Sequence, residues 1–249
     1  CLSIKVRRME KGINQEKPIS SVIRERIREA GAPFAANDNI AQYIREGEMP
    51  QLEAELEEKI QGVLETLLID TENDHNTRET AHRVAKMYLG EVFSGRYTER
   101  PRITEFPNVK QLNQIYTVGP IAIRSACSHH LVPIMGQCWI GVIPSDHVIG
   151  ISKFSRLANW IFSRPQIQEE ATVQLADELE RLIKPYGLAV IVKAKHECMS
   201  WRGVKEHDCA MTTSVMRGYF LKNTATRLEF LSLIKDCLLY TSPSPRDCS

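Results

Sequence analysis

The sequence predicts an α+β fold in which helices pack on an antiparallel sheet. Two pairs of segments carry that prediction. Residues 114–126 and 136–144, then 188–199 and 211–220, are rich in Ile, Val, Thr, Tyr and Trp, the residues that suit a pleated, half-buried surface. Between the pairs, residues 152–163 and 166–184 carry apolar positions at helical spacing. The resulting strand-strand-helix-helix-strand-strand order groups helices on one face of a four-stranded antiparallel sheet.

The remaining elements follow in chain order. Residues 1–16 show no periodicity, and Met9 is a candidate start, which would make 1–8 upstream sequence. Residues 20–31 read as a short helix stopped by Gly31 and Pro33, followed by a polar Ala-Ala-Asn-Asp-Asn linker. From Pro50 to Leu68, the residues Leu52, Leu56, Ile60, Val63, Leu64 and Leu67 recur at helical spacing. A second helix spans about 78–93 and ends at Ser94-Gly95; its Arg83 and Lys86, three apart, share a face. Prolines at 101 and 107 mark a connection into the first strand pair, and a final helix covers about 223–235. Residues 236–249 contain Ser-Pro-Ser-Pro, which removes backbone donors, so a disordered tail is expected there.

Composition excludes several classes. A hydrophobic fraction of 43% and a charged fraction of 25% over 249 residues suit a protein with a sizeable core. A net charge of +1 gives no global pull toward nucleic acid or an anionic membrane, so any anion site must be a local cluster. No apolar run approaches the roughly 20 residues that span a bilayer. Seven irregularly spaced cysteines in a chain this long do not make a disulfide framework, and a reducing, cytoplasmic setting is expected.

The chemistry concentrates in Cys127-Ser128-His129-His130 and in His196-Glu197-Cys198. Cys127 and His130, three apart, can present a thiolate and an imidazole from one loop, and Cys198 can complete a Cys/His/Cys set. Three protein ligands leave tetrahedral zinc one position for water, the pattern of a catalytic site. His129 and His196 stand beside the set, and imidazoles titrate near neutrality. A zinc hydrolase is expected, although free cysteines are also common as small buried apolar residues. Ser152, Lys153 and Arg156 open a helix, where free N–H groups suit phosphate; Ser152 also fits a plain N-cap. Glu169 falls in the first turn of the next helix, where an acidic residue complements the dipole, and Pro165 is expected in that same turn. Arg202 follows Cys198 by four residues and offers a planar fork for phosphate oxygens.

Several blocks in order give the chain a resemblance. Thr-Ala-His-Arg-Val-Ala-Lys86-Met-Tyr, Cys-Ser-His-His-Leu-Val-Pro133, Gly-Ile-Ser-Lys-Phe-Ser-Arg156, Arg-Pro-Gln-Ile-Gln-Glu169 and His-Glu-Cys198 with Arg-Gly203 resemble the GTP cyclohydrolase I family. The resemblance implies a tunnelling fold over residues 50–235 (helices 50–95, core 110–235), with residues 1–49 as an extension. It implies conversion of GTP and water to 7,8-dihydroneopterin triphosphate and formate, with attack of zinc-activated water at C8. Cys127, His130 and Cys198 would be the zinc ligands, and His129 and His196 the proton carriers, with Ser152 near the ribose. Gln168 and Glu169 would lie at the substrate, Glu169 accepting from the guanine ring N–H and exocyclic amine. Lys153, Arg156 and Arg202 would neutralise the triphosphate, with Arg83 and Lys86 supplied by a neighbouring subunit of a toroidal homodecamer.

Two positions depart from the family pattern: Ser128 replaces a usual Glu, and Glu170-Ala171 follow Glu169. Two alternatives share the scaffold. A queuosine-pathway nitrile reductase would use NADPH and a cysteine nucleophile, against which the intact Cys/His/Cys set and two extra histidines argue. A non-catalytic zinc-binding homologue would hold the metal without turnover.

Overall fold

The computed structural model describes residues 17–239, with side-chain surroundings through Lys235. The expectations for residues 1–16 and 240–249 lie outside the described residues, whereas 236–239, expected to begin a disordered tail, continue the last helix to Leu239. In chain order the helices and strands begin with α1 (Ile19–Glu29), a 3-10 turn at Ala41–Tyr43, α2 (Glu48–Thr66) and α3 (Thr80–Met87). A π-helical turn (Tyr88–Val92), α4 (Ser94–Tyr97), β1 (Glu105–Pro107), β2 (Tyr116–Cys127) and β3 (Pro133–Ile143) follow. Then come β4 (His147–Ile149), α5 (Ile151–Phe162), β5 (Pro165–Gln166), α6 (Gln168–Ile183) and β6 (Gly187–His196). The last are α7 (Glu197–Ser200), β7 (Met211–Gly218), α8 (Tyr219–Lys222) and α9 (Thr224–Leu239).

The sheet has five strands in the order β5-β2-β3-β6-β7, not four. The four long strands pair antiparallel, and the sequence missed β5, which is two residues long and pairs parallel with the end of β2 through Ala126↔Pro165 and Cys127↔Gln166. Pro165 therefore sits on an edge strand, where its missing donor costs nothing, and α6 starts three residues later. A separate two-stranded sheet, β1 with β4, was also not read from sequence because each strand has only three residues. The long β2–β3 pairing shifts register between Val118 and Ile121, around Gly119-Pro120, where proline cannot extend the ladder.

Alternation along β6 explains the core. Leu188, Val190 and Val192 face α5 and α6, packing with Phe154, Leu157, Ile161, Leu175 and Leu179. Ala189 and Ile191 face the other way, against Trp139, Phe220, Phe230 and Ile234. Helices thus cover both faces at this point, correcting the one-face expectation, and a strand buried on both sides reads as a continuous apolar run. Each fully buried Leu, Ile or Phe contributes roughly 1.5–3 kcal/mol. Gly141 makes room for the second layer, since a Cβ there would meet Phe230 Cδ2 at 2.6 Å.

The N-terminal extension docks on this core. Ile23 and Ile27 of α1 bury with Ile40 beside Tyr97. Arg26 and the nearly buried Glu48 form a two-pronged ion pair (2.8 and 2.7 Å), and Arg26 also donates to Tyr43 O. That guanidinium lowers the Glu48 carboxyl to about 2, against a burial effect of opposite sign. Arg164 stacks 4.0 Å over the Trp160 ring, and its Nε donates to Gly95 O (3.1 Å) while Nη1 donates to Asn37 O (3.1 Å). Its Nη2 is buried with no hydrogen-bond partner among the described residues, and burial lowers its pKa to about 10. Gly95 has to be glycine here, because a Cβ would lie 1.9 Å from Trp160 O. Among the described residues no helix is long and apolar enough to cross a membrane.

Candidate metal centre and active site

The candidate centre forms where three strand ends meet. Cys127 ends β2, the turn after it closes through Leu131 N–H to Cys127 O (2.8 Å) and Cys127 N–H to Val132 O (2.8 Å), and Leu131 takes φ +55°. That turn carries His129 and His130 beside Cys127. β5 anchors it, Ser128 N–H donating to Gln166 O (3.0 Å). Ser128 therefore contributes its backbone to the loop's placement. Cys198 comes from β6's far end. The strand expected to reach 199 stops at His196, and the helical turn α7 swings Cys198 back over Cys127, Val132, Ile134 and Ala194.

One ligand atom each from Cys127, His130 and Cys198 lie within 4.8 Å of one another. Two sulfurs and an imidazole nitrogen, gathered this closely and partly buried, fit a zinc-class cation with a position left over. Burial and the neighbouring Cys127 raise the Cys198 thiol, and Arg202 opposes them. Two thiols this close favour a divalent cation as the partner that lets both ionise. His129 Nδ1 lies 3.7 Å from Cys127 Sγ. Arg202 Nη1 donates to His130 Nε2 (3.1 Å), putting a guanidinium at the cluster's rim.

His196 is oriented by Gln168. The Gln168 amide nitrogen points at Val192 O, Met211 O and Thr213 Oγ1, each 3.1 Å away, so its oxygen must face His196 Nε2 at 2.8 Å. With acceptors fixing that flip, His196 donates from Nε2 and keeps Nδ1 for chemistry. Burial lowers the His196 pKa, and the nearby Glu169 carboxylate opposes it. Gln168 is 1% exposed, and both ends of its amide are engaged by protein. Gln168, expected at the substrate, is engaged here by Val192, Met211, Thr213 and His196, contacts that sequence could not reveal because the three acceptors come from β6 and β7.

The other expected residues are not at this centre within one chain. β3 carries the chain away from the metal end, α5 begins at the opposite end of the sheet, and its 12 residues return over about 18 Å. Ser152 and Lys153, in the first turn of α5, are therefore roughly a helix length from the end of α5 nearer Cys127, Arg156 lies about halfway along the helix, and Lys153 Nζ donates to Arg102 O (3.3 Å). Arg83 and Lys86 are exposed on α3, Arg83 donating to Asn76 O (2.9 Å). α3 and the π turn face the metal loop across a cavity of about 610 Å³ lined in part by Met87, Tyr88, Leu131 and Pro133.

An α+β scaffold that holds a Cys/His/Cys cluster beside an oriented histidine defines a metallohydrolase-like class of protein. The family model described as GTP cyclohydrolase I matches residues 56–235. The chain is 39% identical over 182 residues to GTP cyclohydrolase 1 of Actinobacillus pleuropneumoniae serotype 5b, covering 73% of this chain and 83% of that protein. It is 38% identical over 181 residues to GTP cyclohydrolase 1 of Aliivibrio salmonicida, covering 72% and 83%. It is 39% identical over 174 residues to GTP cyclohydrolase 1 of Erwinia tasmaniensis, covering 70% and 78%. The chain belongs to the GTP cyclohydrolase I family. A solved archaeosine synthase QueF-Like structure aligns with 48% of this chain and 97% of its own at 15% identity, with a TM-score of 0.32, too low to carry an argument.

Proposed function

We propose that the chain is a zinc-dependent GTP cyclohydrolase I, opening GTP at C8 and rearranging it to 7,8-dihydroneopterin triphosphate with release of formate. The observation that carries this reading is the Cys127, His130 and Cys198 cluster, with its atoms within 4.8 Å, in a chain of this family. Those three residues would hold the metal. When bound, zinc supplies the Lewis acidity that makes water nucleophilic at neutral pH.

The chain's own residues do the rest. His196, with Nε2 held by Gln168, presents Nδ1 to accept and return a proton during ring opening. Its lowered pKa keeps it neutral, hence a base, at pH 7. The exposed His129, beside Cys127 Sγ, is the second proton carrier. Glu169 accepts from the guanine N1–H and exocyclic amine, a pair of donors adenine lacks. Arg202 meets the triphosphate from the cluster's rim, and a fixed guanidinium there also disfavours a second cation.

Ser152, Lys153, Arg156, Arg83 and Lys86 reach the same substrate from neighbouring copies in a ring-shaped homo-oligomer of the tunnelling-fold type. Their placement away from Cys127 in one chain supports that reading, and a decamer of two pentamers is the assembly it leads to. The test is formate release from GTP by zinc-loaded protein, beside a Cys198→Ser variant. Formate with a pterin fluorescent after oxidation, lost in the variant, supports the assignment. Stoichiometric zinc with no formate would favour a non-catalytic homologue.

A further inference from the structure

The segment Phe34–Asn39 precedes the residues matched to the family, yet it is pinned to the core at every step. Arg96 Nη1 donates to Ala35 O (2.6 Å), Ala36 O (3.0 Å) and Asp38 O (2.8 Å), and Arg164 Nη1 donates to Asn37 O (3.1 Å). Asp38 closes the loop on itself by accepting from Ala35 N–H (2.7 Å). These contacts aim one side chain at α6: Asn37 Nδ2 donates to Glu170 Oε2 at 2.7 Å across 133 residues of sequence. Asn37, Glu169, Glu170, Val173 and Gln174 line one open recess of about 410 Å³.

Two adjacent carboxylates on the first turn of α6 present an ambiguity. Either could accept the two N–H groups of a guanine edge, and both ionised at one recess repel each other. Asn37 resolves this by occupying Glu170, whereas Glu169 has no hydrogen-bond partner among the described residues and remains available. We infer that Asn37 is a positioning residue for base recognition: by tethering Glu170 it leaves Glu169 alone to take the guanine edge with both oxygens. This rests on the proposed role of Glu169. It also gives Glu170, one of the two departures from the family pattern, a partner that belongs to this chain's own N-terminal extension.

The experiment compares GTP with inosine triphosphate, which keeps the ring N–H and lacks the exocyclic amine, on the full-length zinc-loaded protein. Asn37→Ala is expected to raise the GTP KM by about 3- to 10-fold, the worth of one misplaced hydrogen bond, with kcat within about twofold. The inosine triphosphate KM should change less, because that base engages only one Glu169 oxygen. Removing the competitor in Asn37→Ala/Glu170→Ala should return the GTP KM toward the parent value. Asn37→Asp, which puts a third carboxylate there while leaving the backbone clamps on residues 35–38 in place, should raise it further. An unchanged GTP KM in Asn37→Ala overturns the inference, as does a failure of the double variant to recover. An equal loss on both nucleotides with a fall in kcat also overturns it, since that is what a merely structural contact gives. If the parent protein releases no formate from GTP, the proposed function fails instead, and the two failures are distinct.

Discussion

The two ends of the sheet solve the problem of gathering a site differently. At the metal end, strand pairing inside one chain brings Cys127, His130, His196 and Cys198 together, although they span 72 residues. At the opposite end, the first half of α5 carries Ser152, Lys153 and Arg156 away from that cluster, with Lys153 donating to Arg102 O. The difference teaches which half of the proposed site a monomer can own. Soft ligands and an oriented imidazole need fixed geometry, so they sit on paired strands and tight turns. Cationic side chains need only reach, so they can be delivered by another copy.

Breaking the metal end should have the largest effect. Cys198→Ser is expected to lower formate release by at least about a thousandfold and to lower bound zinc, measured by metal analysis alongside the assay. Breaking the far end should cost less: Arg156→Ala should reduce kcat/KM by roughly 10- to 100-fold through a lost charge-assisted contact to phosphate. Refolding the two variants together sharpens the comparison. If the halves come from different copies, equal mixing should restore about a quarter of parental activity, because half of each kind of half-site is intact. A mixture no more active than its components would place the whole site in one chain.

A smaller effect is expected where the metal end is supported from behind. Gln168→Leu removes the acceptor that fixes His196 Nε2 and should lower kcat by about 10-fold or somewhat more, read from initial rates at saturating GTP. The smallest lies in the N-terminal extension. Because Arg26 depresses Glu48 to about 2 in the folded state, this pair adds stability that is complete above the unfolded carboxylate's range. That stability is lost as pH falls through about 2. Arg26→Met should therefore cost about 1–2 kcal/mol at pH 7 in denaturant melts, and the gap from the parent should narrow between about pH 4.5 and 2.

Sequence made some of this legible and hid the rest for physical reasons. The helices showed through periodicity: Leu52, Leu56, Ile60 and Leu64 repeat every four residues because one stripe of α2 turns inward, half-buried at the first three and buried at Leu64. β6 showed as an apolar run because layers cover both its faces. β1, β4 and β5 carry no pattern, since two or three residues cannot display a period. The gathering of Cys127, His130 and Cys198 was legible because cysteine and histidine at such spacing are chemically distinctive. The placement of Cys198 on a turn past the strand end was not, because it depends on where β6 loses its partner. The contacts of Gln168 and Asn37 were not legible for a shared reason: each side chain donates to acceptors far away in sequence.

Arg164 gives the N-terminal extension a further consequence. Its guanidinium is buried against an indole face and two carbonyl oxygens, one from Gly95 and one from Asn37. Half of its carbonyl contacts thus belong to a segment whose covalent link toward α2 and the rest of the chain runs through the exposed stretch around Glu46-Gly47. Phe34–Asn39 behaves as a peptide ligand on a short leash, bound at an effective concentration set by the leash and not by its intrinsic affinity. A protease that cut the leash would leave every contact geometrically possible and let dilution remove the segment.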